Sequence, residues 1–199
     1  MKVMAIDPGG TTGVAVVVVE DGVGKGGRLY LDDVPMMART LMVGQYGTPQ
    51  EDYAALRVFE KIWEEKPDVL VMEDFRLFPD RAHGPNTEET IADRYLARLD
   101  LLLWMWANNG VVCTTRGTLS LAGDERGGWG YGSPYVHKSM PGERIVVSDS
   151  WLRENGLWRT PKKDGGGEHS MQALKHLIVT LRKIRSGNLP IDGLARLPR

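Results

Sequence analysis

The sequence predicts an α/β protein: one mixed sheet of five strands in the order 3-2-1-4-5, with helices on both faces. Three observations carry this. Short apolar runs near the N-terminus are joined by glycine-rich turns, the layout of an antiparallel meander. From residue 48 the rhythm changes to helix, strand, helix, strand, which requires parallel pairing through right-handed crossovers. A last helix with apolar residues at helical spacing closes the chain. At 199 residues, with 42% hydrophobic and 26% charged side chains, residues 1–199 read as a single domain with a sizeable core.

Residues 2–6 and 13–19 are the first two strands, inside "VMAIDPGGTTGVAVVVVEDG". A third strand is expected at 28–34, after the hairpin-type connection "EDGVGKGG". "TPQE" at Thr48–Glu51 is a capping box with proline in the first turn. Leu56, Phe59, Ile62 and Trp63 then recur at helical spacing until Lys66-Pro67. "DVLVME" is a short strand without alternation, expected to be buried on both faces. "TEETIADRYLARLDLLLWMWANNG" is a long helix with Ile91, Tyr95, Leu99, Leu102, Leu103 and Trp106 on one face, and "VVCTT" (111–115) is the fifth strand. Residues 116–143, rich in glycine and aromatics and without a period, are a loop insertion. Ser148 caps a short helix that stops at Gly156. "EHSMQALKHLIVTLRKI" is the last helix, and a flexible tail is expected from about residue 186.

The totals exclude several classes. No apolar run approaches the ~20 residues of a membrane span. "MKVMAID" enters a strand at once, so no signal-peptide layout is present and a cytoplasmic location is expected. The one cysteine, Cys113, forms no internal disulfide and is expected as core filler. Net charge is −1, but it is unevenly spread. Residues 51–100 hold 13 acidic and 7 basic side chains, a net of −6, whereas 162–199 hold 8 basic and 3 acidic, a net of +5. That asymmetry points to one positive face.

Chemistry concentrates at strand ends. Asp7 ends the first strand, where a buried strand would otherwise carry another Val or Ile, so its carboxylate needs a partner or a task. Glu73 ends the first parallel strand. His169, with Glu168 beside it, opens the last helix. Oxygen ligands converging in the crevice at these ends suit Mg²⁺ or Mn²⁺, and two such ions suit phosphodiester cleavage.

These residues also carry a resemblance. "AIDPGGTTGVAV" resembles the first motif of the RuvC family of Holliday junction resolvases, within the RNase H-like superfamily. "VLVMEDF" is similar to that family's second motif. "ERIVVSDSWLRENGLW" followed by "EHSMQALKHLIVTL" resembles the end of bacteriophage RuvC-like resolvases. The resemblance implies an RNase H-like fold, a homodimer, and divalent-metal cleavage of Holliday junctions or other branched DNA, in the host cytoplasm if the gene is a phage's. It implies metal ligands at Asp7, Glu73 and His169, with the fourth position falling on Gln172. The family usually has Asp there. Three explanations stay open: Glu168 substitutes, the first metal is held weakly, or catalysis is lost; Asp164 is the next candidate for the missing ligand.

The resemblance further implies an aromatic wedge that stacks on a base after Glu73, at Phe75 or Phe78, with Arg76 and Arg81 flanking. Lys138, Arg144, Lys162, Lys163 and Lys175 are further phosphate candidates. The long helix carries Leu102, Leu103, Trp104 and Trp106 over more than one face, more apolar surface than one core needs, which fits a two-fold dimer. Other readings compete. "DPGGTTG" is similar to the phosphate loop of sugar kinases and actin-like ATPases, but those need two such domains. YqgF-type RNA-processing nucleases begin alike but are usually shorter. A junction-binding protein without activity is the alternative that Gln172 raises.

Overall fold

The run KVMAID becomes the centre of the sheet in a computed structural model that describes residues 1–8, 11–19, 38–47, 51–74, 88–107, 112–113, 119–120, 134–158, 167–189 and 195–196. Its strands are β1 (Lys2–Asp7), β2 (Thr11–Val19), β3 (Ala38–Gly47), β4 (Val69–Glu73), β5 (Val112–Cys113), β6 (Leu119–Ser120), β7 (Tyr135–Ser139) and β8 (Ala195–Arg196). The helices are α1 (Glu51–Glu65), α2 (Glu88–Ala107), α3 (Asp149–Glu154) and α4 (Glu168–Ser186), with a 3-10 turn at Pro141–Val146. The main sheet has six strands in the order β3-β2-β1-β4-β7-β8.

The first four positions follow the predicted order, antiparallel from β3 to β1 and parallel from β1 to β4. Two strand assignments need correction. The partner of β2 is Ala38–Gly47, paired from Thr11 opposite Gly47 to Val19 opposite Ala38; residues 28–34 lie outside the described residues. The fifth position belongs to Tyr135–Ser139, parallel to β4, and not to 111–115. Val112–Cys113 instead pairs with Leu119–Ser120 in a separate two-stranded sheet. The physical reason is that the edge of β4 is already taken: Tyr135–Ser139 pairs along all of it, from Val69 opposite Tyr135 to Glu73 opposite Ser139. The 116–143 stretch therefore contains sheet, and Ala195–Arg196, inside the expected tail, closes the edge against Tyr135 and Val136.

Successive residues of β1 and β4 point to opposite faces, and both faces are covered. Val3, Ala5, Val69 and Val71 pack with Leu174, Leu177 and Leu181 of α4 and Leu152 of α3. Met4, Ile6, Leu70 and Met72 pack with Phe59 and Ile62 of α1 and Tyr95 and Leu99 of α2. Ser148 caps α3 by accepting the Trp151 N–H at 3.1 Å, and Gly156 takes φ +67° beyond its end. The capping box at 48–51 lies largely outside the described residues.

Candidate metal centre

The same alternation decides where the strand-end acids point. Asp7 shares its face with Val3 and Ala5, and Glu73 with Val69 and Val71, so both carboxylates turn toward α4. The sheet order then aligns them. Asp7 pairs with Gly13 of β2, Ile6 pairs with Met72 one place before Glu73, and Glu73 pairs with Ser139. Gly13, Asp7, Glu73 and Ser139 form one row across four strands.

Helix α4 lies directly on that row because position 13 is glycine. A Cβ there would overlap the His169 carbonyl and the Ser170 amide. At the start of the helix, Ser170 Oγ accepts the Gly167 N–H at 2.7 Å and donates to the Gly167 carbonyl at 2.8 Å. This close seat places His169 Nδ1 3.0 Å from Asp7 Oδ2. Two turns along, on the same side of the helix, His176 is fully buried. One ligand atom from each of Asp7, Glu73 and His176 can be chosen so that all lie within 4.8 Å of one another.

The electrostatics of this cluster are unfavourable without a cation. Both carboxylates are 5% exposed. Burial, then hydrogen bonding to Asp7 and the charge of Asp7, push the Glu73 carboxyl up to about 8, against the opposing pull of Arg144. Burial lowers His176 to about 4, outweighing the raising influence of Asp7, so its ring is neutral near pH 7. Among the described residues its Nε2 has no hydrogen-bond partner, and it lies 3.9 Å from Glu73 Oε2. Among the described residues the nearest arginine or lysine is Arg144, with Nη1 2.8 Å from Glu73 Oε1 and 3.8 Å from Asp7 Oδ1. Two buried carboxylates and a bare imidazole nitrogen are a donor set that fits a divalent ion such as Mg²⁺ or Mn²⁺.

A pH dependence follows. Glu73 has a raised folded value, so its contribution to stability is whole below pH 4.5 and is lost as pH rises through about 8. His176 has a lowered one, so its contribution is whole above pH 6.5 and is lost as pH falls through about 4. Between pH 6.5 and 8 only the Glu73 contribution of these two changes. The melting temperature in chelator is expected to fall across that interval, and added Mg²⁺ or Mn²⁺ to reverse the fall. A flat, metal-insensitive profile would contradict the coupling of the pair.

The expected site residues divide into four groups. Asp7, Glu73 and His169 come together, and Arg144 joins them as their counter-ion. Gln172 is half-buried on α4, and among the described residues no hydrogen bond joins it to Asp7 or Glu73; Glu168 is exposed. A second imidazole nitrogen near the carboxylates belongs to His176, one turn beyond Gln172. Lys175 is held 2.7 Å from Asp149 and Lys138 3.1 Å from Asp100, so both charges are already matched within the fold. Phe75, Arg76, Phe78, Arg81, Lys162, Lys163 and Asp164 lie outside the described residues. Sequence reasoning missed His176, Ser139 and Glu143; the seven-residue spacing from His169 to His176 was the available signal.

No family model matches the chain, and no curated protein matches it. Solved structures do, RuvC structures among them. RuvC of Thermus thermophilus aligns at 17% identity over 94% of this chain and 97% of its own, with a TM-score of 0.51. The same organism's RuvC, solved in complex with a Holliday junction substrate, aligns at 16% identity over 94% and 97%, with a TM-score of 0.53. The chain has a RuvC-like α/β fold. No described helix is long and apolar enough to cross a membrane.

Proposed function

We propose that this protein is a metal-dependent, structure-selective endonuclease that cleaves Holliday junctions or other branched DNA. One observation carries the reading: Asp7 and Glu73 sit side by side at adjacent strand ends, buried and facing the unpartnered Nε2 of His176. Such a set is costly to bury unless a cation completes it. The RuvC-like fold and the resemblance of the three motifs support the substrate class.

In this reading Asp7, Glu73 and His176 hold the metal, with His169 placed beside Asp7 as a further ligand. The ions, when bound, supply activation of the attacking water and stabilisation of the leaving oxygen. Arg144 neutralises the pair in their absence, and its one-third-exposed side chain is free to turn to a phosphate once Glu73 is occupied. Phe75 or Phe78 supplies the wedge, and Arg76, Arg81, Lys162 and Lys163 supply phosphate contacts. The exposed Leu101 and Trp104 of α2, 52% and 53% accessible, form part of a homodimer surface, while Leu102 and Leu103 belong to the core. The side chain of Trp106 lies outside the described residues.

The test is a substrate panel of linear duplex, fork and four-way junction, each with chelator, Mg²⁺ or Mn²⁺. Metal-dependent nicking of the branched substrates, and little of the linear one, is expected. Junction binding without cleavage under every metal condition would favour an inactive junction-binding protein, and cleavage of RNA alone would favour an RNA-processing nuclease.

A further inference from the structure

The protons around His176 can be counted. Ser139 Oγ lies 2.9 Å from Glu143 Oε2 and 2.8 Å from His176 Nδ1. Lys183 Nζ lies 2.6 Å from the other Glu143 oxygen. Burial pushes the Glu143 carboxyl up, but the hydrogen bonds of Lys183 and Ser139 and the charge of Lys183 outweigh it and hold the group below its usual value. Glu143 is therefore an acceptor only. Ser139 has one proton, and it goes to Glu143. Toward His176 the hydroxyl can then only accept, so Nδ1 must carry the ring proton. That leaves Nε2 as a bare lone pair, buried, without a partner and facing Glu73. Once Glu73 is ionised, a lone pair aimed at it is repulsive unless a cation lies between them.

We propose that the chain Lys183–Glu143–Ser139 locks His176 in the tautomer that presents Nε2 to a divalent cation, so that His176 is a metal ligand and Ser139 and Glu143 are its positioning residues. The inference rests on the metal-centre reading above and names the nitrogen that completes it. Ligating histidines commonly have the far ring nitrogen fixed in this way, and loss of such a partner costs about 10–100-fold in metal affinity.

The relay can be reversed with a nearly isosteric change. In Glu143→Gln the amide oxygen would stay with Lys183, leaving the NH₂ to face Ser139. Ser139 would then accept from the amide and donate to Nδ1, which moves the ring proton to Nε2. Nitrogen-15 NMR of the metal-free protein reads the tautomer directly, with His176→Gln identifying the signal. The wild type should show protonated Nδ1 and Glu143→Gln protonated Nε2. Mn²⁺ titration calorimetry should show an affinity about 10–100-fold lower for Glu143→Gln. Ser139→Ala, which removes the acceptor, should lose a similar factor. Electron spin-echo spectroscopy of bound Mn²⁺ should lose one imidazole nitrogen coupling in His176→Gln.

An unchanged tautomer in Glu143→Gln, or wild-type Mn²⁺ affinity in His176→Gln, overturns the relay. If Asp7→Asn still abolishes Mn²⁺ binding in that case, the metal centre stands without His176. Failure of the wild type to bind Mn²⁺ at all overturns both.

Discussion

Replacing Asp7 by Asn is expected to abolish junction cleavage and to leave junction binding intact or tighter. The two parts have different causes. Cleavage depends on holding a cation, and Asn replaces a charged oxygen ligand with a neutral one. The rate should fall by more than the roughly 10–100-fold that loss of a supporting residue costs at a metal site. Binding depends on phosphate contacts made elsewhere, and removing one buried anion lowers repulsion with the backbone. The fold should survive, because Asp7 sits beside Glu73 and contributes to the raised carboxyl there. The metal-free variant should melt no lower than the wild type at pH 8. Cleavage within a fewfold of wild type would show that Asp7 is not part of the catalytic centre.

Gly13→Ala is expected to be strongly destabilising. The added carbon overlaps backbone atoms of His169 and Ser170, and backbone cannot rotate aside as a long side chain can. Either β2 or the start of α4 must move. Overpacking of this kind costs about 1–3 kcal/mol, and for a chain of this size each kcal/mol lowers Tm by about 2–4 °C. A fall of roughly 2–12 °C is therefore expected, together with weaker divalent binding, because His169 shifts away from Asp7. Gly142→Ala provides the comparison. Nothing lies within 4 Å of a Cβ at that position, so Tm should barely change. Equal effects from the two substitutions would contradict the close seating of α4 on β2.

Gly13 closes the first glycine-rich turn. At position 13 the space is filled by the protein's own helix, while Gly9 and Gly10 lie outside the described residues. Asp7 and Glu73 were legible because each interrupts an apolar strand at its end, and strand alternation then puts both on one face. His169 was legible from its place at a helix start.

The residues that complete the cluster were not legible, for a physical reason. His176 lies in an apolar helical run and reads as an ordinary buried residue; its role arises from Ser139, on a strand whose place depends on tertiary pairing. "YVHKS" has no apolar run, and strand preference in such a segment is set mainly by its neighbours. The cations failed differently. Lys138, Arg144 and Lys175 look alike as sequence charges, and only the fold shows that Asp100 and Asp149 match two of them while the third faces the strand-end carboxylates.

The whole account depends on a cation between the strand ends. Crystals grown without divalent ions and then soaked in Mn²⁺ test this directly through anomalous scattering at the manganese edge. The account predicts a strong peak coordinated by Asp7, Glu73 and His176 Nε2, with Arg144 displaced from Glu73. A clean map at that position, with Arg144 still bound to Glu73 at saturating Mn²⁺, would contradict it.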